Sequence, residues 1–138
     1  MRTKVYRRQH AALRTLLDET SSHLVPLDAD ACRIGLAKLA RLLGTHLALE
    51  DRALYPRLMT HDDPAVRRAA IKYQASMGRL RPAFDAFHDR WSRCDAIEAA
   101  AHEFTAAFRV IAAALRQRMD FEDAHLYRMI DEPIRSKS

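Results

Sequence analysis

At 138 residues the chain has the length of one domain, and a core of that size buries most of its apolar surface without disulfides or metal. With 49% apolar residues, 30% charged residues, three Gly and five Pro, the composition excludes disorder and a sheet fold and suits compact helices. The net charge of +5 rests on 19 Arg against four Lys, interspersed with Asp and Glu along every segment, so a nucleic-acid footprint is not expected.

The N-terminal MRTKVYRRQHAAL is basic without an apolar core, and no run of about eighteen apolar residues occurs, so a cytoplasmic chain without membrane spans is expected. Segment one carries an apolar stripe at helical spacing through Tyr6, His10, Leu13 and Leu17. It ends at SSHLVPLD, around Pro26. Segment two starts at Asp28 or Asp30, and its stripe runs Cys32, Leu36, Leu39, Leu43, His46, Glu50, Leu54. Two ligand-type residues interrupt that otherwise apolar face. After THDDP, segment three has Asp63 as N-cap and Pro64 at the first helical position. Its stripe is Val66, Ala70, Tyr73, Met77, Leu80, Phe84, Phe87, Trp91, and Pro82 predicts a kink. After SRCDA, a capping box of Asp95 and Glu98 predicts the start of segment four. Its stripe, Ile97, Ala101, Phe104, Phe108, Ile111, Leu115, Arg118, Glu122, ends in charge.

Short connections make successive helices antiparallel neighbours, so the expected fold is all-α, an up-down-up-down four-helix bundle forming one domain over residues 1–138. His10, His46, Glu50, Met77, Arg118 and Glu122 then meet at one end of the bundle. Cys32 and Cys94 have no metal-ligand spacing and read as buried free thiols. His23, His61, His88 and His102 fall on loops, at the opposite end or off the stripes.

Residues 46 to 58, HLALEDRALYPRL, and 118 to 130, RMDFEDAHLYRMI, match at Glu50/Glu122, Asp51/Asp123, Leu54/Leu126 and Tyr55/Tyr127. The chain is therefore two helical hairpins in tandem. With His10 on the first helix and the HxxxE run His46 to Glu50 on the second, it resembles the hemerythrin-like, or HHE, domains. The resemblance implies a non-haem di-iron centre between the four helices that binds oxygen or nitric oxide, handles iron or senses redox state, of which this chain offers a reduced ligand set suited to one ion. Carried over by position, it implies His10, His46, Glu50 and Glu122 as metal ligands. Arg118 stands where the second HxxxE would have its His, and Met77 is the residue offered on the third helix.

His46 and Glu50 lie one turn apart, about 6 Å along the axis, and so can address one ion. Two imidazoles and two carboxylates suit iron, manganese or zinc, with open positions for water or a small gas. The alternative is a metal-free interaction or regulatory module, with a protein partner or a second copy of the chain, in which Arg118 pairs bidentately with Glu50 or Glu122 and supplies the positive charge. His125 has an ExxH spacing to Glu122 but lies beside the stripe and is expected to be exposed. Tyr55 and Tyr127 either hydrogen-bond to the cluster or, as amphipathic residues, close the end of the bundle; the second is preferred. No nucleophile triad, phosphate loop or dinucleotide fingerprint is present, so binding rather than catalysis is expected. Oligonucleotide binding through Arg7, Arg8, Arg67 and Arg68 would show an affinity that falls steeply with salt.

Overall fold

The computed structural model describes residues 3–131, Met77 by its backbone alone. Helix α1 (Lys4–Ser21) leads through a turn to α2 (Ala29–Leu49). Of the two candidate caps it is Asp28 that starts α2, its carboxylate accepting from the Ala31 N–H at 3.0 Å, while Asp30 lies in the first turn, where negative charge suits the helix dipole. A π-helical turn (Glu50–Leu54) carries α2 into α3 (Tyr55–Met59). Helix α4 (Pro64–Arg90) opens on Asp63, which accepts from the Ala65 N–H at 2.9 Å, and runs on through Pro82. Then follow α5 (Cys94–Ala99), α6 (Ala101–Phe121), a second π-helical turn (Glu122–Leu126) and α7 (Tyr127–Asp131). The architecture is all-helical, with no strand among the described residues.

The start of the last segment differs from expectation. Asp95 and Glu98 form no capping box: the helix begins at Cys94 without a side-chain cap and breaks at Ala100 before α6. Both acids are otherwise engaged. Arg93 holds the Asp95 carboxylate at 2.6 and 3.1 Å, and Glu98 accepts from the Cys94 thiol at 3.2 Å. Cys32 is buried as expected, whereas Cys94 is only half-buried.

The pairings between helices are legible in their contacts. Along α1 and α2, His10 meets His46 and Thr20 meets Gly35. Along α1 and α6, Arg14 binds Asp120 at 2.9 Å and Asp18 binds Arg116 at 2.8 Å. Along α4 and α6, Phe87 packs on Phe104 and Phe108, and Arg118 reaches the Tyr73 carbonyl. In each pair the partners fall in opposite order along the two helices.

The stripes of α1, α2 and α6 are buried nearly throughout, but that of α4 is buried only at its ends. Val66, Ala70, Phe84, Phe87 and Trp91 are buried, while Tyr73 and Leu80 are half-buried. Two apolar clusters result. The larger runs from Trp91, Ile97 and Phe104 to Leu43, Leu115 and Met119; the smaller holds Tyr6, Leu54, Tyr55, Leu58, Leu126 and Tyr127. His10, His46, Glu50 and Glu122 form a polar layer between them, so the cluster expected at one end of the fold has a second apolar layer beyond it.

Candidate metal centre

The layer is built from the repeat. Each π-helical turn begins at a glutamate of the matched pair, Glu50 or Glu122, and closes with the N–H of Tyr55 or Tyr127 donating to that glutamate's carbonyl. Such a turn inserts one residue into the helical count. Two consecutive side chains can then face inward, and Leu54 with Tyr55, like Leu126 with Tyr127, is buried to 1% exposure or less. The Tyr127 hydroxyl thereby enters the polar layer, donating to Glu50 Oε2 at 2.7 Å and lying 3.1 Å from His10 Nε2 and 3.5 Å from His46 Nε2. The preference for two tyrosines that merely close the bundle is corrected here: an uninterrupted period of 3.6 misplaces both rings.

The four residues expected as ligands come together. His10, His46, Glu50 and Glu122 are at most 2% exposed and offer one donor atom each, all within 4.8 Å of one another. His10 Nε2 lies 3.1 Å from His46 Nε2 and 3.1 Å from Glu122 Oε1, and His46 Nε2 lies 3.4 Å from Glu50 Oε2.

The protons of this layer can be counted. His10 Nδ1 faces Asp123 Oδ1 at 2.9 Å, and since a carboxylate only accepts, that nitrogen carries the proton. His46 Nδ1 likewise donates to Gln9 Oε1 at 2.7 Å. In their neutral forms both imidazoles therefore turn Nε2 lone pairs toward each other. The one hydroxyl proton goes to Glu50 Oε2, while Glu50 Oε1 and Glu122 Oε2 are buried without a hydrogen-bond partner. Buried acceptors without a partner, beside two imidazoles, are an arrangement that a cation satisfies. The residues present thus fit a metal ion.

Without an ion, a proton substitutes. Burial pulls the His46 imidazole down, but hydrogen bonding and attraction to Glu122 and Glu50 outweigh it and raise its pKa to about 9. Burial alone would also raise Glu122, yet the two histidines hold it well below the usual carboxylate range. Glu50 is raised, burial being the main cause.

Arg118 lies one layer out and is mostly buried. Its Nε stands 3.8 Å from Glu122 Oε2 without a hydrogen bond, and the guanidinium donates to the Tyr73 carbonyl at 2.5 Å and the Tyr55 hydroxyl at 3.4 Å. The expected bidentate pairing with a glutamate is not made, because the backbone carbonyl of α4 draws the fork away. The register that sets His10 beside His46 sets Tyr73 beside Arg118. The side chain of Met77, proposed for the third helix, lies outside the described residues. His125 is exposed and packs on Phe121, as expected. Arg7 is tied to Asp123 and Asp131, and Arg67 to the carbonyls of His61 and Asp62, so two of the four arginines considered for oligonucleotide binding are engaged.

A cavity of about 10 Å³, room for about one water, adjoins the layer between His46, Arg118, Glu122 and Leu115. An open groove of about 560 Å³ lies outside it along α4 and α6, flanked by Tyr73, Arg79, Val110 and Phe121. Leu80 and Arg118 line both. Among the described residues, no helix is long and apolar enough to cross a membrane.

Imidazoles and carboxylates converging in the dry interior of a helical fold define the class of all-helical cation-binding domains. The model of the hemerythrin HHE cation-binding domain matches residues 1–130, and the chain belongs to that family. No curated protein and no solved structure matches it.

Proposed function

We propose that this chain is an antiparallel four-helix bundle, one domain over residues 1–138, that binds a single non-haem iron ion through His10, His46, Glu50 and Glu122. The opposite order of partners along α1/α2, α1/α6 and α4/α6 supports the bundle. The observation that carries the ion is the convergence of His10, His46, Glu50 and Glu122, buried with one donor atom each within 4.8 Å of one another, two of their carboxylate oxygens being without a hydrogen-bond partner. When bound, iron would supply coordination positions for a small ligand such as oxygen or nitric oxide. The chain's own part is to hold the donors: Asp123 and Gln9 fix the imidazole tautomers, and the two apolar clusters enclose the layer from both sides. The role is binding rather than catalysis, in the cytoplasm.

Iron analysis of protein from iron-supplemented growth tests this, with about one ion per chain expected and its loss in Glu50→Ala. Clearly less than one iron in the unmutated chain would overturn the reading. The rival, a metal-free module neutralised by Arg118, draws on the 3.8 Å ion pair with Glu122. It is weakened because the hydrogen bonds of that guanidinium go to Tyr73 and Tyr55.

A further inference from the structure

We infer that Tyr127 is a fifth protein donor to the ion, through its phenolic oxygen, an inference that rests on the metal reading above. Donors that share an ion each lie about 2.1 Å from it, so neighbouring donors stand about 3 Å apart. Around the layer the separations are 3.1 Å from His10 Nε2 to His46 Nε2, 3.1 Å from His10 Nε2 to Glu122 Oε1, and 3.4 Å from His46 Nε2 to Glu50 Oε2. The hydroxyl of Tyr127 continues the same spacing, at 2.7 Å from Glu50 Oε2, 3.1 Å from His10 Nε2 and 3.5 Å from His46 Nε2. It stands among the donors, whereas a residue that merely supported them would lie behind one of them, as Asp123 and Gln9 do.

The two halves of the repeat use their tyrosines differently. Tyr55, the counterpart of Tyr127, has its hydroxyl 3.4 Å from the Arg118 guanidinium, a permanent cation that takes up its lone pair. The oxygen of Tyr127 instead faces two imidazole nitrogens, His10 Nε2 at 3.1 Å and His46 Nε2 at 3.5 Å. Its ring is held in place by stacking on Tyr6 and by the Arg7 guanidinium 5.4 Å from the ring centre. Ligation exchanges the phenol O–H bond for an oxygen–metal bond. The proton is released to solvent as the ion enters, and Glu50 Oε2 remains as that residue's donor.

The test is the visible spectrum of the full chain isolated from iron-supplemented growth, oxidised with ferricyanide and desalted, with iron content measured on the same samples. Phenolate bound to ferric iron gives a visible charge-transfer band, and resonance Raman excitation in it enhances tyrosinate ring vibrations. The expected result is about one iron per chain with that band, lost at least tenfold in Tyr127→Phe with iron retained and kept in Tyr55→Phe. Iron without the band, or a band that survives Tyr127→Phe, overturns the inference and leaves ion binding standing; absence of iron overturns both. Should Tyr127→Phe not fold, Tyr6→Phe, Tyr55→Phe and Tyr73→Phe decide it by elimination, since the chain has four tyrosines. Loss of the band in any of the three counts against Tyr127.

Discussion

The imidazoles of His10 and His46 are aimed from behind, by Asp123 at 2.9 Å and Gln9 at 2.7 Å. Removing such a partner lets the ring rotate and change tautomer, which typically weakens metal binding about 10- to 100-fold. Gln9→Ala and Asp123→Ala should each show that loss in competition with a chromogenic chelator. Asp123→Ala should also lower the melting temperature, because Asp123 binds Arg7 and Arg14, while Gln9→Ala should leave it nearly unchanged. Unaltered affinity in both would argue that the rings are held by packing alone. His10, His46, Glu50 and Glu122 were legible in the sequence because each is a polar interruption of an apolar stripe. Gln9 was not, and Asp123 only as a matched position of the repeat: each adjoins a donor in sequence, at a position that helical periodicity assigns to solvent. Tyr127 was legible only as a member of the repeat, since its inward turn depends on the extra residue in the π-helical turn.

The helices were legible to within a turn, with Asp63 as a cap and Asp28 as one of two candidates, but the capping box expected at Asp95 is not formed. What escaped were the departures from ideal helix: the two π-helical turns, the break at Ala100 and the half-buried middle of α4. The turns left one trace, an adjacent Leu-Tyr pair repeated as Leu54–Tyr55 and Leu126–Tyr127. Close approach between α1 and α2 depends on Gly35, where an added Cβ would stand 2.2 Å from Thr20 Oγ1, whereas Gly78 faces open space. The same substitution should therefore act with opposite sign. Gly35→Ala overpacks a buried contact and should destabilise by about 1 to 3 kcal/mol, partly rescued by Thr20→Ala. Gly78→Ala lies within α4, where Ala is favoured, and should stabilise by about 0.5 to 1 kcal/mol. Urea unfolding of the three variants checks this, and equal effects at the two glycines would contradict the packing described for Gly35.

Over the whole molecule, ion and proton compete for one layer. In the ion-free chain His46 is raised to about 9 from an ordinary 6.5. The stability it contributes is fully present below about 6.5, its value in the unfolded chain, and is lost as pH rises through about 9. An ion that displaces this proton should bind more tightly across the same interval, and a pH-independent affinity between those limits would contradict it. At free ion about 100 times its dissociation constant, the folded chain should gain about 2.7 kcal/mol, visible as a rise in melting temperature.

The polar layer between two apolar clusters also sets a clock. Side chains no more than 2% exposed are out of reach of a chelator, so an ion can leave only when the protein opens. Release into excess chelator should therefore proceed at a rate that ceases to depend on chelator concentration, in contrast to an exposed site stripped by direct attack. Arg118 lines both the small cavity beside the layer and the outer groove, and Arg118→Ala should raise the plateau rate several-fold. Retention would then be governed by how often the fold breathes, and two chains of equal affinity could differ widely in how long they keep their ion.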